Sequence, residues 1–224
     1  LNRPTQLIAP HSDQPGTKVN VIQPIYNEAN LLEQVYAWLN SNAEPTGWLD
    51  PATASLHAVT DIDYDAKGQR MLIHYGNSAR TTYTYDPLTF RLTHLLTRRN
   101  PAAFASDCPE PPLAEWPGCQ VQNLHYTYDP AGNITHILDD AQQTIYFRNQ
   151  RVEPSAEYTY DAIYRLIQAT GREHLGQLAS GERKPPTAPD GSNAFHTRLD
   201  HPGNGNAMGT YSERYVYDAV GNFQ

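Results

Sequence analysis

Three alternating aspartates, Asp61, Asp63 and Asp65, have the residue type and spacing of the start of a calcium-binding loop. Such a loop needs a glycine at its sixth position and a bidentate Glu at its twelfth. Counted from Asp61, Gly68 is the eighth residue here and Leu72 the twelfth. The aspartates therefore indicate the solvated face of a strand that leads into a turn, and no metal site is expected from them.

Two further groups have titratable side chains but lack the partners that catalysis requires. Arg172-Glu173-His174 contains an acid and a base, with no nucleophile held by a third orienting group. His196, Asp200 and His201 lie in a Gly-rich stretch that is typical of a loop. The chain also has no Gly-rich phosphate loop and no Gly-x-Ser-x-Gly motif. We expect no enzyme, no cofactor and no bound metal.

Cys108 and Cys119 are the two cysteines of the chain, and they flank a Pro-rich stretch. One pair is too few for a structural zinc site. In an exported protein the two would form a disulfide that closes the stretch, whereas in a reducing compartment both remain thiols. The sequence leaves both alternatives open.

Charge and hydropathy exclude two classes of partner. The chain has 224 residues, with 16 Lys and Arg against 24 Asp and Glu, for a net charge of -8. A nucleic-acid surface needs a basic stripe to pair with phosphates, and none is present. No apolar run reaches the roughly 18 residues of a membrane-spanning helix. We therefore expect neither nucleic-acid binding nor a membrane span.

Tyrosine is unusually frequent in the chain, which has 15 Tyr and only 5 Phe. The positions of the tyrosines show how the chain is organised. Many of them fall in a repeated Tyr-x-Tyr-Asp segment, which a glycine follows three residues after the aspartate in some copies. The four clear copies are Tyr83–Asp86, Tyr126–Asp129, Tyr158–Asp161 and Tyr215–Asp218, and Ile62–Asp65 is a fifth with Ile in the first slot. Internal repetition of this kind is the signature of a repeat architecture.

The chemistry of the segment predicts one β-hairpin per copy. The period of two places both tyrosines on one face of a strand. The aspartate ends the strand and accepts hydrogen bonds from the turn backbone, while Gly or Asn supplies a positive φ. A single hairpin cannot bury its own aromatic face, so copies are expected to stack side by side.

A weaker sixth copy begins at Tyr26, with Asn30 in the glycine slot. The residues that follow, 30–39, carry apolar side chains at helical spacing and can be interpreted as an amphipathic helix. In repeat register they are the return strand of a hairpin, which is the interpretation we favour. Between copies lie two Pro- and Gly-rich insertions, at about 100–120 and 176–209, which are expected to be loops.

The recurrent Tyr-Asp-x-x-Gly unit resembles that of the Rhs/YD-repeat family over nearly the whole chain. Longer strings are similar to the Rhs region of B components of Tc-type insecticidal toxin complexes and of virulence-plasmid-toxin-like proteins. These strings are 63–70, 143–150 and 160–174. Asp129-Pro130-Ala131-Gly132 departs from the family's self-cleavage motif, because Asn133 follows it, and it is interpreted as a repeat turn.

The resemblance implies an all-β fold in which successive hairpins form a curved, spiralling antiparallel sheet, part of a hollow shell. It implies a secreted, extracellular toxin whose shell encloses a toxic polypeptide, with the remainder of the shell and other toxin-complex subunits as partners. Related repeats also occur in cell-surface proteins, so an adhesion module that binds carbohydrate or protein is the alternative. The structural residues of the motif are Tyr26, Tyr64, Asp65, Gly68, Tyr83, Tyr85, Asp86, Tyr126, Tyr128, Asp129, Gly132, Tyr158, Tyr160, Asp161, Tyr215, Tyr217, Asp218 and Gly221.

The C-terminal residues 217–224 form a strand end and a turn with almost no returning strand. A hairpin interrupted there leaves an unpaired edge, which proteins normally avoid. We therefore expect residues 1–224 to be one repeat segment of a larger protein.

Overall fold

A computed structural model describes residues 3–100, 104, 120–176 and 203–223. Within these ranges the chain is built from fourteen strands and one short 3₁₀ turn at Pro51–Thr53. The strands are β1 (Leu7–Ile8), β2 (Val19–Tyr26), β3 (Leu32–Ser41), β4 (Leu56–Tyr64), β5 (Arg70–Tyr75), β6 (Arg80–Tyr85), β7 (Leu92–Arg98), β8 (Gln120–Tyr128), β9 (Ile134–Asp139), β10 (Ile145–Phe147), β11 (Gln150–Val152), β12 (Ser155–Tyr160), β13 (Leu166–His174) and β14 (Met208–Arg214). The predicted all-β class is confirmed.

The strands pair almost entirely in the order in which the chain forms them. Twelve make one antiparallel sheet in the order β1 to β9, then β12, β13 and β14, while β10 and β11 form a separate hairpin. Consecutive pairing follows from the repeat, since each hairpin leaves one free edge on which the next can add. The predicted succession of hairpins in one antiparallel sheet is therefore confirmed.

Residues 32–39 are strand, as repeat register predicted, and the helical interpretation is wrong. Asn30 lies in the turn before them. Strand β3 pairs with β2 along one edge and with β4 along the other. Pairing on both edges satisfies its backbone hydrogen-bonding groups without a helix. The helical spacing of its apolar residues arises because both faces of the strand are at least partly covered.

Contacts divide the chain into two compact units at the Asn123–Leu124 bond, within β8. In the first unit, Val19, Val21 and Trp38 form a small core of buried side chains. Gln23 is 1% exposed beside them. Its side-chain amide donates to the Leu49 carbonyl over 3.0 Å and accepts from the Leu49 N–H over 3.2 Å. This reciprocal pair holds the segment after β3 against β2 and leaves no buried amide unsatisfied there.

The second unit packs its core from small residues. Val152, Ala169 and Ala207 are each 3% exposed or less. Gly171 on β13 stands opposite Tyr211 on β14, and a Cβ at Gly171 would lie only 2.7 Å from the tyrosine ring. The missing side chain therefore lets the Tyr211 ring approach the backbone of the neighbouring strand closely.

Several expectations lie outside the described residues. These are the pairing of Cys108 with Cys119, the positions of His196, Asp200 and His201, and most of the insertions at 100–120 and 176–209. At the end of the second insertion, β14 already begins at Met208. Within the described ranges no helix has the length and apolarity to cross a membrane, and no three metal-ligating side chains are grouped.

Candidate functional site: the tyrosine-aspartate turns

Each copy of the repeat ends in a turn that its aspartate holds together. At Asp65, one carboxylate oxygen accepts from the backbone N–H groups of Lys67 and Gln69, both over 2.8 Å. Asp129, Asp161 and Asp218 accept from the backbone in the same way. Asn27 does so in the weak copy through its side-chain oxygen, which shows that an amide can replace the carboxylate.

These hydrogen bonds favour the charged form of the aspartates. The Asn133 side chain and the backbone N–H groups of its turn lower the pKa of Asp129. The backbone N–H of Arg165 is the main cause of the lowered pKa of Asp161, and the Asn222 N–H has the same effect on Asp218. The Thr89 N–H lowers the pKa of Asp86. A carboxylate that accepts several N–H bonds is stabilised relative to its acid.

The third residue after the aspartate has a positive φ in the five turns of common length. Gly68, Gly132 and Gly221 have φ values of 79°, 109° and 94°, as the motif predicts. Asn30 has 61° and Tyr164 has 65°. Tyr164 was missed by sequence reasoning, because no residue-type signal marks a tyrosine for this conformation.

The turn after Asp86 is one residue longer than the others. Its aspartate N–H donates to the Arg91 carbonyl, and Phe90 takes the positive φ, at 59°. The sequence has no glycine in this turn. Because of the extra residue, the positive φ falls on the fourth residue after the aspartate instead of the third. A bulky residue at positive φ is uncommon and costs free energy.

The second tyrosine of the repeat joins neighbouring hairpins. Its hydroxyl donates to the backbone carbonyl of the first residue of the return strand in the adjacent hairpin. We name these contacts the tyrosine latches. They join Tyr64 to Leu32 over 2.6 Å, Tyr85 to Arg70 over 3.0 Å, Tyr160 to Ile134 over 2.9 Å and Tyr217 to Leu166 over 2.8 Å.

The geometry of one latch shows why the motif recurs. Ile134 begins β9 and pairs with Tyr128 in its own hairpin, where a register shift between Thr127 and Tyr128 marks a β-bulge. Its carbonyl accepts the hydroxyl of Tyr160, which ends β12 beside it. A bulge disturbs the regular strand ladder and re-aims the groups around it. Ile134 thus contacts two copies of the repeat.

The latches tie hairpins that lie close in space whatever their separation in sequence. The four contacts span 32, 15, 26 and 51 residues. Tyr26 makes a comparable bond to the Pro4 carbonyl over 3.1 Å. Burial is the main cause of the raised pKa values of Tyr85 and Tyr160, with the nearby Tyr83 and Tyr158 adding to them. A raised pKa keeps these phenols protonated and able to donate.

The first tyrosine of each pair lies on the same face as the second. Tyr83, Tyr126, Tyr158 and Tyr215 are half-buried, whereas the residue between the two tyrosines is exposed in each copy. Tyr215 donates to the Glu213 carboxylate over 2.6 Å, and this bond is the main cause of its raised pKa. These rings cover the sheet face beside the latch.

The candidate acid-base group at 172–174 is held by other contacts. Arg172 donates to the Gln143 carbonyl over 3.0 Å and to the Gln142 side-chain oxygen over 3.1 Å. His174 Nε2 lies 2.8 Å from the Asn204 carbonyl. Arg172 also lines a groove of about 370 Å³ that contains Tyr158 and Tyr211. The two side chains thus serve inter-strand and loop contacts.

Comparison with known proteins gives the family. No family model matches the sequence. Toxin subunit YenC2 of Yersinia entomophaga is 30% identical over 214 residues, which are 94% of this chain and 19% of that protein. Toxin subunit YenC1 of the same organism is 34% identical over 165 residues, 73% of this chain and 14% of that protein. The chain belongs to the Rhs-repeat family of Tc toxin subunits.

Solved structures of this family share the fold. The crystal structure of TcdB2-TccC3 matches 92% of this chain with a TM-score of 0.56 and 30% identity. The Tc holotoxin pore of Photorhabdus luminescens matches 91% with a TM-score of 0.55 and 30% identity. This chain covers 8% of each of those chains, and under a fifth of each curated relative. The chain thus corresponds in sequence and fold to a short region of these toxin-complex chains.

The lowered pKa values predict an acid-sensitive fold. For a carboxyl whose folded pKa is below its unfolded value of about 3.9, the added stability is complete above that value and is lost as pH falls through the folded pKa. The urea midpoint of the chain should therefore fall between pH 6 and pH 3. A variant with Asn at positions 86, 129, 161 and 218 should lose less over that range, because Asn27 shows that an amide can hold the turn. If the urea midpoints of the native chain and of the Asn variant fall equally between pH 6 and pH 3, the aspartates do not cause the acid sensitivity.

The positive φ of the turns predicts opposite effects for two substitutions. Tyr164→Gly should raise the free energy of unfolding by about 0.5–1 kcal/mol, because it relieves a strained backbone at a side chain that is 62% exposed. Gly132→Val should lower it by roughly 2 kcal/mol, because a β-branched residue disfavours φ of 109°. Urea denaturation measures both, and a loss of stability in Tyr164→Gly would refute the assigned strain.

The latches predict that removing one tyrosine hydroxyl lowers the free energy of unfolding. Tyr160→Phe keeps the ring but leaves the Ile134 carbonyl without its donor, so the free energy of unfolding should fall by about 1 kcal/mol. Tyr146→Phe is the matched control, since Tyr146 is 74% exposed. If the two variants unfold at the same urea concentration, the hydroxyl does not stabilise the sheet.

Proposed function

We propose that this chain is a wall segment of an Rhs shell that encloses a toxic polypeptide within a secreted toxin complex. Its work is mechanical, because the hairpins separate the inside of the shell from the outside. Its partners are the remaining shell, the enclosed polypeptide and other subunits of the complex. The Tc toxin relatives, which are far longer than this chain, support this role.

The tyrosine latches are the observation that carries the proposal. A wall must remain continuous although loops of different length interrupt its repeats. The latches meet this need, because each joins the turn of one hairpin to its spatial neighbour across 15 to 51 residues of sequence. A catalytic or recognition domain has no comparable reason to repeat one contact in four of its hairpins.

Protease protection of the full-length toxin subunit that contains this segment tests the proposal. Native protein is digested with thermolysin, and surviving fragments are identified by mass spectrometry. We expect an enclosed polypeptide that survives in the native protein and is cleaved after urea denaturation. Cleavage at equal rates before and after denaturation would overturn encapsulation.

Two variants of the same subunit test whether this protection depends on the tyrosine latches. In Tyr85→Phe/Tyr160→Phe/Tyr217→Phe, three latches are lost while every ring is kept. Protection should weaken in this variant and persist in Tyr146→Phe. Binding of the native subunit to a glycan array, without any protected polypeptide, would favour the adhesion module instead.

A further inference from the structure

A row of one histidine and two arginines crosses strands β5, β6 and β7 in the first unit. His74 stands opposite Arg80, and Arg80 stands opposite Arg98. Residues directly opposite in an antiparallel pair share one face, with Cβ atoms about 4.5–5.5 Å apart. Like charges directly opposite each other destabilise a sheet, so an anion bound between Arg80 and Arg98 would stabilise this part of it.

The cations of this row are not neutralised by the described part of the chain. Neither Arg80 nor Arg98 makes a side-chain hydrogen bond or ion pair with a described residue. The Arg98 Nε is buried without an acceptor among those residues. The acidic side chain nearest in register is Asp61 on β4, opposite His74 at the far end of the row.

A second unsatisfied donor lies on the neighbouring strand β8. Gln120 on β8 is 6% exposed, and its Nε2 also has no acceptor in the described structure. Its Oε1 accepts from Asn123 over 3.0 Å, and the Asn123 oxygen lies 2.5 Å from His94 Nε2. His94 is four residues before Arg98 on β7, so the two share a face, because side chains alternate with period two.

Hydrogen bonds connect Gln120 to the strand that carries Arg98. Strands β7 and β8 are neighbours in the sheet, and the His94–Asn123 contact joins them. The Asn123–Gln120 hydrogen bond continues that contact, so the Gln120 amide lies beside β7.

From these observations we infer that His74, Arg80, Arg98 and Gln120 form a docking site, the cationic row, for carboxylate side chains of an acidic polypeptide segment. A guanidinium fork matches a carboxylate with two parallel hydrogen bonds, and Gln120 Nε2 offers a further donor on the next strand. A bound carboxylate satisfies the buried donors and removes the repulsion between Arg80 and Arg98. The inference does not depend on whether the shell encloses a toxin.

Composition and length favour a polypeptide as the source of the carboxylate. This chain itself carries 24 Asp and Glu against 16 Lys and Arg. More than four-fifths of each Tc relative lies outside the matched region, so a subunit of that kind has ample further chain to supply an acidic segment. The occupant is therefore identified by its Asp or Glu side chains.

Fluorescence anisotropy of a labelled octa-glutamate peptide with the full chain tests the site at low salt. We expect saturable binding to the native chain and none of an octa-glutamine peptide. Arg98→Gln should weaken binding at least about 10-fold, since hydrogen bonds to charged groups are worth about 1.5–3 kcal/mol. Arg98→Lys keeps the charge but loses the two parallel donors of the guanidinium. Its affinity for octa-glutamate should therefore lie between those of the native chain and of Arg98→Gln.

The same anisotropy assay includes a control variant and can contradict the proposed site. Arg151→Gln removes one positive charge from an exposed ion pair with Glu153 in the second unit, and should change binding less than about twofold. Arg80→Gln should weaken binding too. Because Arg80 is exposed, this variant should fold, and it tests the site if Arg98→Gln does not fold. Equal effects of Arg80→Gln and Arg151→Gln would overturn the site. Displacement by inorganic phosphate at matched ionic strength would show a small-anion site and overturn the polypeptide assignment.

Discussion

The hydrogen bond from a tyrosine hydroxyl to the backbone carbonyl of the neighbouring hairpin is the contact on which this sheet depends. The sheet of each unit is built by adding hairpins, and few side chains are fully buried to hold them. In such a layer the backbone ladder fixes neighbours along the strands. The tyrosine latches fix them at the turns, where the ladder ends and a bulge disturbs the pairing.

The aspartate and the latch support each other in the copies that form a latch. The carboxylate shapes the turn and so fixes where the return strand begins. The first residue of that strand carries the carbonyl that the next tyrosine reaches. Loss of the aspartate therefore changes not only its own turn but also the position of the next acceptor. This dependence gives a physical reason for the linkage of Tyr and Asp within one motif.

The sequence was sufficient where a residue type acts locally. The strand period of the tyrosines, the turn aspartates and the positive φ of Gly68, Gly132 and Gly221 all follow from the chemistry of a few adjacent residues. The interpretation of residues 32–39 as strand also succeeded. There, the repeat register was a better guide than apolar spacing, because sheet neighbours on both edges determine the structure.

The sequence was insufficient where a partner is distant or a conformation is imposed. Nothing in the type of Tyr164 or Phe90 signals a positive φ, since the surrounding turn forces it on them. The acceptors of the latches could not be predicted, because Leu166 and Tyr217 are 51 residues apart. The cationic row was hidden for the same reason. His74, Arg80 and Arg98 become neighbours only when register is known.

Hydrogen exchange of the native chain and of Tyr160→Phe tests most directly whether the latches couple neighbouring hairpins. The informative amides are those of Gly132 and Asn133, in the turn before the acceptor Ile134. Loss of the Tyr160 hydroxyl should speed their exchange by about fivefold, the factor that corresponds to about 1 kcal/mol at 25 °C. If these amides exchange at the native rate while only the turn after Tyr160 changes, the hairpins are not coupled through their tyrosines.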